Sequence, residues 1–445
     1  MSTIKISNAN IVNEGKIEVG DVWIEGAFIK EIGKINKIAE KNIDATGKYL
    51  LPGAIDDQVH FREPGLTHKG SIYSEARAAV AGGVTSFMEM PNTKPSAVTA
   101  ALLEDKYAIA SEKSLANYSF FMGTTNTNLS DLLSVDYTKV CGVKIFMGSS
   151  TGDMLVDNPE ALEGIFSEVK AIIAVHCEED PMVKATYEIF KEKYGEEQLK
   201  PYMHPLIRSE EACYASSSKA VALAQKYGTR LHILHISTAK ELELFKNDIP
   251  LKEKKITAEA CIHHLWFSEE DYASKGNFIK WNPAVKKASD REAIWKAVLD
   301  GRIDVIATDH APHTLEEKEA AYYKAPSGGP LVQHSVQAMV QAYQMGKISL
   351  EMVVQKMAHN VADLFQIDRR GYIRPDYYAD LVLVDLKRPY TVHKSNLLYH
   401  CGWSPLEGVT FQNTIVDTFV SGHWAFHENS LDESVKGQRL FFDRK

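Results

Sequence analysis

The first fifty residues alternate short apolar runs with glycine. Ile4–Ile6, Ile11–Val12, Val22–Ile24 and Phe28–Ile32 read as strands, Gly15, Gly20, Gly26 and Gly33 as turns between them, and no helix of useful length appears. From residue 54 the pattern changes. Strand-length apolar runs at Ala54–Phe61, Thr85–Met90, Ser119–Thr124, Val140–Met147, Ile172–Cys177, Leu231–Ile236, Lys255–Ile262 and Val305–Thr308 are separated by longer segments. Several of these are amphipathic, among them Ser74–Ala81, Leu102–Ser114, Glu211–Tyr227 and Asp290–Leu299. Eight strands alternating with helices predict an α/β fold, a (β/α)8 TIM barrel over residues 51–365. An open doubly wound sheet would carry a glycine-rich phosphate turn after its first strand, and IDDQVHFREPG is not one. Strand signals of the first kind return only at Tyr378–Val384 and Thr414–Ser421. Residues 1–50 and 366–445 are therefore expected to build one small composite β-sandwich domain.

Charge and cysteine content narrow the class. Of 445 residues, 44% are hydrophobic, enough for a substantial core, and the net charge is −9 without a long basic run. That argues against nucleic acid or an anionic membrane as partner and leaves a small-molecule substrate open, since a pocket sets its own local field. Five scattered cysteines without a CxxC pair read as reduced thiols. With no signal-peptide layout and no membrane-length apolar run, a soluble cytoplasmic protein is expected.

Candidate chemistry gathers where the barrel strands end, the face on which such barrels place their sites. His60 and Arg62 end the first strand, Lys144 lies in the fourth, His176 ends the fifth, His235 the sixth and Asp309 the eighth. One strand-end histidine is ordinarily structural. Three with an aspartate, all at the same end, suit a divalent metal such as zinc, and metal-assisted hydrolysis follows. Lys144 reads either as a salt-bridge partner or as a lysine carbamylated by carbon dioxide, and the sequence leaves both open. Asp56, Asp57, His263, His264 and His310 read as structural neighbours of these groups. Residues 314–328, poor in apolar side chains, read as a segment covering the pocket.

The stretches VHFREPG, MEMPNTKP, KIFMGSSTG, VHCEED, HISTAKE, KWNPAVKKASDRE and IATDHAPHTLEEK, in this order, resemble the dihydroorotases of the amidohydrolase superfamily. The late YIRPDYYADLVLVD resembles that superfamily's C-terminal β segment. The resemblance implies reversible, zinc-dependent cyclisation of N-carbamoyl-aspartate to dihydroorotate, with a metal-activated hydroxide attacking the ring amide and Asp309 shuttling the proton. It implies one or two zinc ions: His60 and Asp309 at the first position, His176 and His235 at the second, a carbamylated Lys144 bridging them. It assigns Arg62, Asn92 and His313 to the substrate carboxylate, and Asn282 and the backbone near Gly328 to the ring.

One position departs from the family's HxH motif, where Gln58 stands in place of the first histidine. An amide oxygen is a weaker zinc ligand than imidazole, so the first position is expected to be weakened, altered or empty. The resemblance leaves a homodimer and a carbamoyltransferase partner open, and no stretch marks an interface. Two rival readings remain. One is a sister cyclic amidohydrolase, an allantoinase or dihydropyrimidinase; the other is a silent homologue that scaffolds a carbamoyltransferase. Arg62 speaks against the first, because a ring without a carboxylate leaves its guanidinium unpaired in the pocket. The other ligands, all retained, speak against the second.

Overall fold

A computed structural model describes residues 2–149 and 154–444; the last three residues of the KIFMGSSTG stretch (150–152) lie outside the described residues. The N-terminal segment supplies β1 (Thr3–Asn13), β2 (Lys16–Glu25), β3 (Phe28–Gly33), β4 (Lys41–Asp44) and β5 (Tyr49–Pro52). Ile4–Ile6 and Ile11–Val12 are one strand, not two. A bulge between Ile6 and Ala9, with Asn8 in the left-handed region, resets the alternation so that Ile4, Ile6, Ala9 and Ile11 all face inward. Gly20 is no turn either: it sits inside β2 paired with Ala9, and a Cβ there would lie 3.2 Å from Ile11 Cδ1.

The chain then forms β6 (Ala54–Val59), β7 (Val84–Glu89), β8 (Asn117–Gly123), β9 (Gly142–Phe146), β10 (Ile173–His176), β11 (Leu231–Ile233), β12 (Ile256–Cys261) and β13 (Val305–Ala307). These pair in parallel in sequence order, and a Val59–His310 bridge brings the first strand to the last, His60 N donating to His310 O at 2.7 Å. The fold is the expected (β/α)8 barrel. Several helices between the strands carry side-chain N-caps. Ser71 and Ser74 form a capping box on the helix Ile72–Ala81, which packs Ile72, Ala76, Ala79 and Val80 inward.

The C-terminal segment returns as β14 (Leu381–Asp385), the short pair β15 (Tyr390–Thr391) and β16 (Thr410–Phe411), then β17 (Thr414–Val420), β18 (His423–His427) and β19 (Ser430–Leu431). Both termini thus build one β unit, as expected. Its hydrogen bonding is continuous in the order β19-β18-β17-β14-β5-β1-β2-β3, with β4 also on β1. Ile4, Ile24, Leu50, Leu383 and Phe419 share an apolar cluster of its own. The last residues leave this sheet and run along the barrel, where Leu440 N donates to Tyr118 O and Tyr118 N to Gln438 O. No helix among the described residues is long and apolar enough to cross a membrane.

Candidate active site

Strand β6 is buried on both faces although it reads Asp56-Asp57-Gln58. Burying such groups requires partners, and Asp56 has them: it accepts from Thr308 Oγ1 at 2.6 Å and from the backbone of Thr308 and Gln58. This lock ties the ends of β6 and β13 together and sets His60 opposite Asp309. At the strand ends the backbone turns over. Arg62 (φ 72°), His235 (φ 39°) and Asp309 (φ 47°) all adopt left-handed conformations, which cost about 1–3 kcal/mol each for residues other than glycine and gather at functional sites. For this reason β11 and β13 end earlier than their apolar runs.

These turns open on one small cavity of about 100 Å³ at the C-terminal end of the barrel. His60, Arg62, Asn92, Lys144, His176, His235, Asn282, Asp309 and Gly328 all line it, with Gln58 among them. His313 does not. It stands behind Arg62, with Nε2 3.1 Å from the guanidinium.

The hydrogen bonds decide which imidazole nitrogens carry lone pairs. The carboxylate of Glu178 can only accept, so His176 donates from Nε2 at 3.0 Å and turns the bare Nδ1 towards His235 Nε2, also 3.0 Å away. Glu178 is itself gripped by Arg208 and Ser149, and the Arg208 guanidinium beside it holds its carboxyl far below the usual range despite burial. Asn92 Oδ1 accepts from His60 Nδ1 at 2.8 Å, which leaves His60 Nε2 facing Asp309 Oδ1 at 3.2 Å. Burial depresses the pKa of His60, His176 and His235, which favours the neutral, metal-binding form. Convergent nitrogens about 3 Å apart, oriented from behind by a carboxylate and an amide, are the donor set that a divalent metal takes, so the residues fit such an ion.

Lys144 is buried with Nζ 4.7 Å from the Phe146 ring centroid and has no ion pair among the described residues. Burial brings its amine down to about 7. The salt-bridge reading of this lysine therefore finds no partner here. Gln58 is turned away from ligation. Its Nε2 donates to Asp309 Oδ1 at 3.3 Å while Oε1 lies 3.5 Å from Cys261 Sγ. The carboxylate can only accept, so the amide nitrogen is the end that faces it.

Arg62 is almost fully buried, and burial draws its guanidinium down to about 10. Nε donates to Pro312 O at 2.9 Å. The ammonium of Lys69 can only donate to His313 Nδ1 (3.1 Å), so His313 carries its proton on Nε2 and gives it to Ser327 O at 3.0 Å. The outer edge of the guanidinium is thereby left free on the cavity side. Gly328 (φ 125°) allows no side chain, since a Cβ would sit 2.5 Å from Ala311 O.

The covering segment is latched. Lys318 Nζ donates to Pro326 O and Gly328 O, and Lys280 Nζ to Tyr322 O and Ala325 O. His263 and His264 lie in the short helix Ile262–Trp266 and stay out of the cavity, His263 stacking on Trp281 at 4.5 Å. His310 points to Glu75 at 2.9 Å. Glu178 and Arg208 were missed from the sequence. Glu178 had a signal, since it lies two residues after His176 in VHCEED; Arg208 had none.

The chain belongs to the amidohydrolase family, whose model matches residues 49–425. It is similar to a dihydroorotase of Halobacterium salinarum, with 34% identity over 402 residues, 89% of this chain and 91% of that one. It is also similar to a dihydroorotase of Pyrococcus furiosus, with 32% identity over 97% of this chain and 96% of the other. Among solved structures, an L-hydantoinase (dihydropyrimidinase) from Arthrobacter aurescens superposes with a TM-score of 0.92 at 24% identity, covering 99% of this chain and all of that one. A dihydropyrimidinase from Brevibacillus agri gives 0.88 at 23%, with full coverage of both. At that identity the structural likeness speaks for the fold alone.

Proposed function

We propose that this amidohydrolase is a dihydroorotase, interconverting N-carbamoyl-aspartate and dihydroorotate. The observation that carries the reading is the free edge of the buried Arg62 guanidinium, in the same small cavity as the metal-type donor set. A guanidinium edge pairs with a carboxylate through two parallel hydrogen bonds. Dihydroorotate offers that carboxylate, whereas dihydrouracil and allantoin do not. The dihydroorotase relatives support the same choice over the hydantoinases.

In this reading His176, His235 and Lys144 would hold one divalent metal, zinc by the nature of the donors, and His60 and Asp309 the other. A metal held there would supply Lewis-acid polarisation of the ring amide carbonyl and a more acidic water. Lys144 joins the ligands by adding its neutral amine to carbon dioxide: an N–C bond forms, the nitrogen loses its proton to solvent, and an anionic carbamate oxygen results. Arg62 grips the substrate carboxylate, backed by His313, and Asn92 adds its free amide hydrogens. Asn282 and the backbone at Gly328 hold the ring. Asp309 takes the proton of the attacking water and passes it to the ring nitrogen as the C–N bond breaks; ring closure uses the same groups in reverse. All five cysteines are free thiols, which suits the reducing cytoplasm where we place the enzyme.

The test is interconversion of the two acids by purified protein before and after chelation. Turnover should vanish with the metal and return with added zinc. Turnover of allantoin or dihydrouracil in place of dihydroorotate would overturn the assignment.

A further inference from the structure

Inside the barrel, beneath the cavity, three strands bring together Asp57 (β6), His232 (β11) and Glu259 (β12), each wholly buried. One atom from each lies within 4.8 Å of the other two. His232 Nε2 is 3.2 Å from Asp57 Oδ2 and 3.7 Å from Glu259 Oε2. Both Asp57 oxygens, Glu259 Oε2 and His232 Nε2 are without a hydrogen bond. Such orphans are rare in folded proteins, and each calls for an explanation.

The surroundings fix the state of the histidine. Thr257 Oγ1 spends its proton on Leu231 O, so it accepts from His232 Nδ1 at 2.8 Å, which sets the ring with Nε2 towards the two carboxylates. Glu259 Oε1 is already taken by His235 N at 2.9 Å and by Cys261 Sγ at 3.2 Å, so only Oε2 faces inward. Two carboxylates and a ring nitrogen thus converge on one spot, where positive charge, a proton or a metal ion, is what balances them. A single proton on His232 with both carboxylates ionised leaves one net negative charge in the barrel core, at a cost of several kcal/mol. A divalent cation with the two carboxylates is neutral. The spacing agrees: ligands at about 2.0–2.1 Å in tetrahedral array stand about 3.3 Å apart, between the two separations seen here.

We infer that Asp57, His232 and Glu259 form a buried structural site for a first-row divalent cation such as zinc, separate from the metal position at the barrel mouth. Through Glu259 Oε1 this ion braces the backbone of His235 from below, and it fastens β6, β11 and β12 together.

The test is anomalous diffraction at the zinc edge on crystals of the full chain grown with zinc alone, together with metal analysis. A peak bonded to Asp57, His232 and Glu259 is expected, in addition to any at the mouth. Asp57→Ala should lose one metal equivalent per chain while the mouth peak stays. No peak at the triad, whatever the mouth holds, overturns the inference. So does a ¹⁵N spectrum of His232 with both ring nitrogens protonated in metal-loaded protein. A mouth peak missing while the triad peak is present would instead count against the proposed function. The native crystals decide the matter even if Asp57→Ala fails to fold.

Discussion

Replacing Arg62 by methionine removes a charge and a fork while keeping much of the side chain's length. In the structure Nε is committed to Pro312 O, and the proton on His313 Nε2 belongs to Ser327 O. Two outward N–H groups therefore remain for a substrate carboxylate. Charge-assisted hydrogen bonds contribute about 1.5–3 kcal/mol each, so the pair is worth about 3–6 kcal/mol. At 1.36 kcal/mol per factor of ten, kcat/KM for dihydroorotate should fall about 10²–10⁴-fold. The assay follows ring opening of dihydroorotate spectrophotometrically, with dihydrouracil as the substrate that lacks the carboxylate. Arg62→Met should depress the first activity and spare whatever there is of the second. Arg62→Lys, which keeps the charge without the fork, should fall between. A loss below tenfold, or an equal loss on both rings at unchanged Tm, would refute the assignment of this guanidinium to substrate.

Other consequences are open to measurement. Asp309→Asn should abolish turnover with the circular dichroism spectrum unchanged; residual activity above a few per cent would remove it from the proton-transfer role. Gln58→His turns a lone pair towards Asp309 where an N–H now points, and should raise the metal content at the barrel mouth by up to one ion per chain, checked by elemental analysis. The buried Lys106–Glu89 pair (3.0 Å) also holds Phe61 N through Glu89 Oε1 at 2.9 Å. Lys106→Met should cost about 3–5 kcal/mol, read from urea melts, because it strands a buried carboxylate. Glu317, whose carboxyl is held below its usual range, pairs with Lys69 at 2.8 Å and anchors the covering segment. Its folded pKa lies below the unfolded value, so its contribution is complete above about pH 4.3 and is lost as the pH falls below that. Hydrogen exchange in residues 314–328 should rise on acidification, and Glu317→Gln should blunt that rise.

Much of this was legible because barrels put chemistry at strand ends. His60, His176, His235 and Asp309 each close an apolar run, and eight such runs suffice to predict the architecture. What stayed hidden depends on distance in sequence. Arg208 reaches Glu178 from a loop thirty residues on, and no local pattern announces that contact. Asp57 looked structural because it sits in the strand before the turn, yet both faces of β6 are buried and its inner partner His232 lies on another strand. The bulge at Asn8 split one strand into two apparent ones, since a reset of the alternation looks like a turn. The role expected of His313 shifts for a similar reason. Its proton goes to Ser327 O, a partner that only the folded covering segment supplies.

The most direct measurement is a side-by-side determination of kcat/KM for dihydroorotate, dihydrouracil and allantoin on one zinc-loaded preparation. The free guanidinium edge predicts that dihydroorotate is preferred by at least about 10²-fold, the lower bound of two charge-assisted hydrogen bonds. Comparable values for a ring without a carboxylate would contradict it.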